Sequence, residues 1–395
     1  MQQSSFLSRS ALFMVLLAVL PSLGDAQIVA RTRRLNQTAP PACGKAWRRV
    51  SSPSPSHQSG DANQLSAIGA TSSTDAWAVG WTLSFGGGGY KTLTEHWDGT
   101  RWTVIPSANT SMRNNYLIGV SALAPNDVWA VGQQDDNSGN MLTLVEHWDG
   151  TSWTVDPQAS TPGSLGDVVA FSPNDVWAGG FVLEHWDGTT WSVTQLGSAR
   201  YLGVLAGDSS SLWAVGYRLI QPIGPVLTLS DHFDGVGWTP FKGIDPLRTS
   251  ADDEDVLTGV DSEPGGSHPF AVGYFANFDA NPPAHTLVER WDGQQWRLIP
   301  AVNPGGPHLD NELWDVEVLS QSNVWIVGTV GSDGSSDNQA LIEHWNGSSW
   351  TAAPNLGTGV LVGIGGDRPT GNLWAVGYTA AGNYQATMIL AACGL

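Results

Sequence analysis

The chain has 395 residues and a formal net charge of −19, with 47 glycines, 20 tryptophans and only 13% charged residues. This composition excludes a largely disordered chain and indicates a compact, turn-rich fold in which large side chains pack between tight turns. The acidic charge also argues against nucleic acid as a partner, because a negative field repels phosphate backbones.

The N-terminus has the pattern of a secretory signal peptide. An apolar run from Ala11 to Leu20 follows Arg9 and precedes a small-residue site, so we predict cleavage after Ala26. The alternative, a membrane anchor, is disfavoured because the run is short for a bilayer span. We therefore expect a signal peptide at 1–26, a linker at 27–42 and a secreted or periplasmic mature chain without a transmembrane segment.

The rest of the chain repeats one unit that carries two motifs. The first is "WAVG" or a variant, at Trp77, Trp129, Trp177, Trp213, Phe270, Trp325 and Trp374. The second is "EHWDGTxW" or a variant, starting at Glu95, Glu146, Glu184, Asp231, Glu289 and Glu343. A short Gly- and Val-rich segment precedes each first motif.

These segments are short, β-branched or aromatic, and bounded by turn residues, which predicts strands. The Asp-Gly pair inside the second motif predicts a hairpin, because its tight turn favours positive φ. Four strands recurring about every 50 residues are typical of propeller blades. The sequence thus predicts an all-β fold, a single seven-bladed β-propeller of four-stranded blades over residues 43–395.

The two termini explain why there is one hairpin motif fewer than "WAVG" motifs. The segment "CGKAWRRV" aligns with "DGTRWTVI", which places Trp47 on Trp102, and the last unit ends after its third strand. The N-terminal strand is therefore expected to complete the C-terminal blade, which closes the ring and removes its exposed edges. Cys43 and Cys393 then meet at one hairpin, and we predict a disulfide bond there in preference to two unrelated thiols.

The paired motifs resemble the "WAVG…EHWDGTxW" repeats of secreted, mostly uncharacterised bacterial propellers, loosely grouped with Kelch-type and galactose-oxidase-like propellers. The resemblance covers residues 43–395 and implies the fold but no activity, since propellers host unrelated functions. The "WDGTxW" turn alone is also similar to the Asp box of sialidases and to the repeat of fucose-binding propeller lectins. The catalytic arginine cluster of sialidases cannot be placed in this sequence. Copper radical oxidases of the galactose oxidase type need a cysteine crosslinked to a tyrosine, and the expected disulfide uses both cysteines.

One histidine per repeat raises the question of a metal site, at His96, His147, His185, His232 and His344. Blade spacing separates them too widely for one ion to be bound by three, so we predict no metal site there. We instead expect the His and Glu of each "EHW" to bond to the adjacent blade, since buried polar groups need partners.

Candidate binding residues lie in the loops whose lengths break the repeat, which an up-and-down blade brings to one face. The loop candidates are Asp252, Asp253, Glu254, Asp255, Asp310, Glu312 and Trp314. Tyr116 and Tyr201, which each lead an inner strand, are further candidates at the channel mouth. Carboxylates suit Ca²⁺ and tryptophan suits a sugar ring. A solvated acidic loop and core positions for the two tyrosines are the alternatives, and no other cofactor is expected.

The leading hypothesis is a monomeric, secreted binding module for an extracellular glycan or surface protein. The alternative is an extracellular hydrolase, lyase or oxidase whose site is assembled from several blades at the channel mouth, and a purely structural protein is a third. The sequence therefore leaves catalysis open. Asn36, Asn109 and Asn346 stand in glycosylation triplets, which matter only in a host that glycosylates.

Overall fold

The computed structural model describes residues 44–395, except 111–112, 137, 198, 221–223, 248–249, 264–267, 278–283, 307, 332–334 and 355. The predicted signal peptide, the predicted linker and Cys43 lie outside these described residues. Within them the chain consists of β-strands, turns and one 3-10 helix at Pro157–Ala159. No helix of the described part is long and apolar enough to cross a membrane.

Antiparallel pairing arranges the strands in groups of four, which we call blades and label A to G. Two parallel pairings of one residue each, Val226 with Glu254 and Ala62 with Gln385, also join D to E and G to A. The first strand, β1, spans Arg48–Val50. Blade A comprises β2 (Ala62–Ser72), β3 (Asp75–Leu83), β4 (Tyr90–Trp97) and β5 (Trp102–Val104). Blade B comprises β6 (Asn115–Ala124), β7 (Asp127–Asp135), β8 (Met141–Trp148) and β9 (Trp153–Val155). Blade C comprises β10 (Leu165–Ser172), β11 (Asp175–Gly180), β12 (Val182–Trp186) and β13 (Trp191–Gln195).

Blade D comprises β14 (Arg200–Asp208), β15 (Ser211–Leu219), β16 (Val226–Phe233) and β17 (Trp238–Phe241). Blade E comprises β18 (Asp253–Asp261), β19 (Phe270–Asn277), β20 (His285–Trp291) and β21 (Trp296–Leu298). Blade F comprises β22 (Asp310–Ser320), β23 (Asn323–Gly331), β24 (Gln339–Trp345) and β25 (Trp350–Ala352). Blade G comprises β26 (Val360–Asp367), β27 (Asn372–Ala381), β28 (Tyr384–Ala392) and β1.

The pairing of β1 with β28 confirms the predicted partnership of the two terminal strands. The strands run antiparallel, with Arg48 opposite Ala391 and Val50 opposite Ile389. This pairing covers the edge that β28 would otherwise expose. Near the end of β28 the backbone N–H of Cys393 donates to the carbonyl of Gly44 at 2.9 Å. Because Cys43 lies outside the described residues, the disulfide bond stays a prediction.

The core lies between the blades and is built by the repeated tryptophans. Trp77, on the second strand of blade A, is 1% exposed, and its ring centroid lies 4.8 Å from that of Trp148 and 5.2 Å from that of Trp153 in blade B. In the same way Trp47 contacts Trp325 of blade F, with centroids 5.6 Å apart. Edge-to-face contacts of this kind stabilise packing beyond the area they bury.

The Glu of the second motif bonds to the preceding blade, as predicted, but the His does not. A carboxylate oxygen of Glu146 in blade B accepts from the backbone N–H of Ala108, which follows blade A, at 3.3 Å. The ring of His96 instead lies 2.6 Å from Asp75 of its own blade. The prediction for His was wrong because His96 pairs across the strands with Trp77 and stacks on its ring, which directs the imidazole along its own blade.

The first strands of the blades contact one another in chain order, and β26 contacts β2 to complete the circuit. The glycine of each "WAVG" lets the second strand lie close against the first: a Cβ on Gly80 would stand 2.0 Å from the carbonyl oxygen of Gln64. Glycines of the first strands bring neighbouring first strands together: a Cβ on Gly119 of blade B would stand 2.6 Å from the Cα of Asp167 in blade C. The first strands thereby surround a central space, which positions the candidate site.

Candidate functional site

A cavity of about 360 Å³ occupies the space where the first strands meet, and the first strand of every blade contributes to its lining. It lies toward the ends of the second strands, which is the face of the variable loops. Its aromatic lining consists of Trp81, Tyr116, Phe181, Tyr201, Tyr217, Trp314 and Tyr378. A concave, mostly apolar cavity of this size is the usual form of a small-ligand site.

Aromatic side chains at the cavity form two clusters, one in blades A and B and the other in blades C and D. In one, the ring centroids of Tyr90 and Tyr116 lie 4.6 Å apart, and that of Trp81 lies 5.0 Å from Tyr90. In the other, Tyr201 lies 5.0 Å from Phe181 and 5.2 Å from Tyr217. In both clusters the rings pack on one another at the wall of the cavity.

Tyr201 lies across the inner strands, and two glycines make room for it. A Cβ on Gly166 would stand 2.2 Å from the Tyr201 hydroxyl oxygen, and one on Gly203 would stand 2.1 Å from its ring. Burial raises the pKa of the hydroxyls of Tyr116 and Tyr201 well above 10, so both remain protonated and can donate hydrogen bonds.

Besides the hydroxyls of Ser66, Thr258, Thr329 and the tyrosines, the polar side chains of the lining are carboxyls and amides: Gln64, Gln133, Asp167, Glu312, Asp315 and Asn338. Among the described lining residues none is Arg, Lys or His. The cavity therefore offers acceptors and neutral donors but no cation to an incoming ligand, which disfavours an anionic one.

Asp167 and Asp315 hold neighbouring blades together as well as lining the cavity. Asp167 of blade C accepts from the backbone N–H of Leu205 in blade D at 3.0 Å, and Asp315 of blade F accepts from Ile364 in blade G at 2.8 Å. Burial raises the pKa of Asp167 to about 7 and that of Asp315 well above its usual range. The charge of Asp261 raises the pKa of Asp167 further, and the charges of Asp167 and Glu317 raise that of Asp315.

The structure brings together four of the predicted site residues and places the others elsewhere. Tyr116, Tyr201, Glu312 and Trp314 line the cavity. Asp252, Asp253, Glu254, Asp255 and Asp310 are absent from the described lining.

The acidic run enters strand β18, where side chains alternate between the two faces. Asp253 and Asp255 are 1% and 0% exposed, and Asp253 accepts from the backbone N–H of Ser250 at 2.7 Å. Glu254 accepts from the hydroxyl of Tyr274 at 3.1 Å. The run therefore orders a strand entry rather than forming a solvated loop, and Asp310 similarly accepts from the backbone N–H of Ala284. Within the described ranges no group of three or more His, Cys, Asp or Glu is placed to hold a metal ion.

Sequence reasoning missed the lining residues that directly follow each "WAVG". These are Trp81, Gln133, Phe181, Tyr217, Tyr274, Thr329 and Tyr378, and all but Tyr274 line the cavity. The available signal was positional: this residue is aromatic in most copies, although it stands outside the motif that defines the repeat.

The fold and its central cavity define a β-propeller, and solved structures agree. No family model matches the chain, and no curated protein matches it. A structure of YCF48 bound to D1 peptide superposes with a TM-score of 0.55 at 14% identity, covering 90% of this chain and 99% of that one.

Two carbohydrate-active proteins share the fold to a similar degree. An ulvan lyase of polysaccharide lyase family 25, bound to a GlcA-Rha3S unit, has a TM-score of 0.54 at 11% identity over 86% of this chain and 97% of that one. The α-L-arabinanase of Penicillium chrysogenum, complexed with arabinobiose, has a TM-score of 0.53 at 11% identity over 89% and 99%. At these identities the likeness shows the fold alone.

Proposed function

We propose that this protein is a secreted, monomeric binding module that takes a neutral glycan into the cavity between its first strands. The aromatic, cation-free lining of that cavity carries the proposal. Aromatic rings present apolar faces to a sugar, while the tyrosine hydroxyls and the amides of Gln64, Gln133 and Asn338 supply hydrogen bonds.

The charge of the cavity selects among glycans. Glu312, Asp167 and Asp315 line it, and the chain carries a net charge of −19. An acidic polysaccharide would have its carboxylates desolvated there without a compensating cation in the described lining, which costs several kcal/mol. A neutral sugar avoids this cost. A protein ligand is less well matched, because protein interfaces are broad surfaces, whereas this site is a concave cavity of about 360 Å³.

The architecture proposed around this site is a single seven-bladed ring over residues 43–395. The circuit of contacts between first strands and the pairing of β1 with β28 support it. Export through a signal peptide at residues 1–26 and a Cys43–Cys393 disulfide bond belong to the same proposal. The hydrogen bond between Cys393 and Gly44 supports the disulfide, because it holds the neighbour of Cys43 beside Cys393.

Calorimetric titration of the mature protein with neutral oligosaccharides tests the proposal. We expect at least one to bind with a dissociation constant in the millimolar range or tighter, and an acidic polyuronate to bind less well. Trp314→Ala should weaken binding at least tenfold, whereas Trp314→Phe, which keeps an aromatic ring, should retain most of it. Val236→Ala, at a residue 92% exposed and outside the lining, is the control. If Trp314→Ala bound the oligosaccharide as tightly as the parent protein, the assignment of binding to this cavity would be wrong.

A second candidate, hydrolysis of a glycan in the same cavity, is favoured by Asp167 and Asp315. Glycoside hydrolases act with a pair of carboxyls, one protonated and one ionised near neutral pH. Both of these carboxyls line the cavity and have raised pKa values. Release of reducing ends from a bound oligosaccharide, lost in Asp167→Asn while binding persists, would support catalysis. Intact oligosaccharide after prolonged incubation would leave binding as the function.

A further inference from the structure

A second cavity, of about 320 Å³, lies in blade D and shares no described lining residue with the first. Three cations line it, Arg200, Arg218 and Lys242, together with Phe241 and Asp245. The whole chain has only 17 basic residues against 36 acidic ones. A concentration of cations in so acidic a protein needs a physical explanation.

Blade C is shorter than blade D. One end of the blade D face that lies against blade C is therefore left uncovered. Trp177 and Trp213 are equivalent, so β11 ends at the level of Gly216, whereas β15 continues for three residues to Leu219. In the same register β12 starts three residues later than β16. The difference amounts to about 10 Å of strand at 3.3 Å per residue. The end of blade D therefore projects beyond its neighbour.

The arginines occupy this projecting end. Leu229, opposite Gly216, packs in the interface with Trp177 of blade C, and Arg218 lies on the same face two residues further along β15. Arg200 pairs directly with Arg218 across the strands. The residues equivalent to Arg200 in other blades are small, buried polar residues, namely Asn63, Asn115, Asp255 and Asn311. The arginine pair is thus a departure from the repeat in blade D.

Only one of the cations is neutralised by the protein. Arg200 donates two hydrogen bonds to the carboxylate of Asp231, at 2.7 and 2.9 Å. Arg218 and Lys242 are exposed, and within the described ranges neither side chain has an ion pair or a hydrogen bond. Like charges directly opposite one another destabilise a sheet. Asp231 offsets part of this repulsion through Arg200, and Arg218 and Lys242 are left to attract an anion from solvent.

We infer that this cleft binds the singly charged acid group of a sugar, a carboxylate or a sulfate ester, through Arg218 and Lys242. Three cations against the carboxylates of Asp231 and Asp245 leave one net positive charge, which matches a monoanion better than a phosphate dianion. The planar guanidinium of Arg218 can hold two oxygens of such a group at once. Phe241 also lines the cleft, while its ring packs on Trp213 and Trp291. The volume holds a sugar ring, whereas an Asp or Glu side chain would leave it largely empty.

The test is a titration of the mature protein with D-glucuronate and D-glucose 6-sulfate, with D-glucose and inorganic phosphate as comparisons, followed by ligand-observed NMR. We expect at least one sugar acid to bind at millimolar concentration, with an affinity that falls as salt is added, and any binding of glucose to be unchanged in Arg218→Gln and Lys242→Gln. Arg218→Gln and Lys242→Gln should each weaken binding of the sugar acid at least tenfold. Arg101→Gln removes the same charge from an exposed turn and should change nothing.

A stability measurement separates a ligand-binding role from a structural one. Removing the positive charge opposite Arg200 relieves repulsion, so Arg218→Gln should unfold at the same temperature as the parent protein or higher. A clear loss of stability would mean that Arg218 supports the fold, and would overturn the inference.

Three further outcomes would also overturn it: binding of neither sugar acid, tighter binding of phosphate than of both, or Arg218-dependent binding of triglutamate alone. None of these outcomes would contradict the proposed neutral-glycan cavity. That cavity is tested with neutral oligosaccharides and with variants of Trp314.

Discussion

Replacing Glu146 by glutamine tests the electrostatics of the repeat. Glu146 is 0% exposed on the third strand of blade B, and among the described residues no cation pairs with it. Burial raises the pKa of its carboxyl to about 8, although the hydrogen bond from Ala108 lowers it somewhat. The carboxyl therefore stays protonated in the folded protein at pH values where the unfolded chain, with a pKa near 4.5, has released the proton.

The sign of the effect follows from this difference in proton binding. Between about pH 4.5 and 8 the folded state holds one proton more than the unfolded state at this residue, so the free energy of unfolding falls as pH rises. One full proton corresponds to about 1.4 kcal/mol per pH unit. Between pH 5 and 7 a single carboxyl of this kind accounts for up to about 3 kcal/mol of lost stability. The equivalent carboxyls of Glu95 and Glu289 act in the same direction.

Glutamine keeps the shape and an acceptor oxygen but does not titrate. Denaturant unfolding followed by tryptophan fluorescence at pH 5, 6, 7 and 8 should show a slope against pH that is less negative by about 1.4 kcal/mol per unit in Glu146→Gln. Asp149→Asn in the same blade is the control. Hydrogen bonds from the hydroxyl of Thr151 and from backbone N–H groups lower the pKa of Asp149 to about 2, so it is ionised in both states throughout this range. Parallel curves for Glu146→Gln and the parent protein would refute the reasoning.

Three further expectations concern the fold. Trp77→Ala should lower the free energy of unfolding by about 3–5 kcal/mol in a denaturation experiment, because it empties the core between blades A and B, and a loss below 1 kcal/mol would contradict this packing. Gly132→Ala should cost about 3 kcal/mol or more in the same assay, since its Cβ would stand 2.0 Å from the carbonyl oxygen of Tyr116, and wild-type stability would show that the strands can separate. Mass spectrometry of unreduced mature protein should find a linked peptide containing Cys43 and Cys393, and free thiols at both positions would disprove the disulfide.

The sequence was most informative where the same side chain meets the same environment in every repeat. The strands, the hairpin pairing of Trp97 with Trp102 and the equivalence of Trp47 with Trp102 followed from motif spacing alone. Spacing is sufficient there because strand alternation and turn length fix which residues meet. The partner of His96 was missed because spacing does not say in which direction along a sheet a side chain lies.

The candidate site was less predictable because it is assembled from single residues of many blades. Tyr116 and Tyr201 were identified since they start inner strands, but the acidic run around Asp253 attracted attention by its charge and proved to be largely buried. Loop variability indicated the face on which the candidate cavity lies. It could not indicate that the residue after each "WAVG" lines the cavity, nor that a shortened blade C uncovers Arg218, because both follow from the relation between blades.

The pairing of β1 with β28 has a consequence for how the molecule is made. β1 is synthesised long before its partner β28, and the paired residues Val50 and Ile389 are roughly 340 positions apart, against about ten for the fourth strands of the other blades. Loop-closure entropy makes joining them about 3 kcal/mol less favourable than closing a local hairpin. Until β28 has been synthesised and has paired with β1, Trp325 lacks the ring of Trp47. Formation of this pair thus reports that the chain has been delivered as far as β28, so a product truncated before β28 would be left with an open edge.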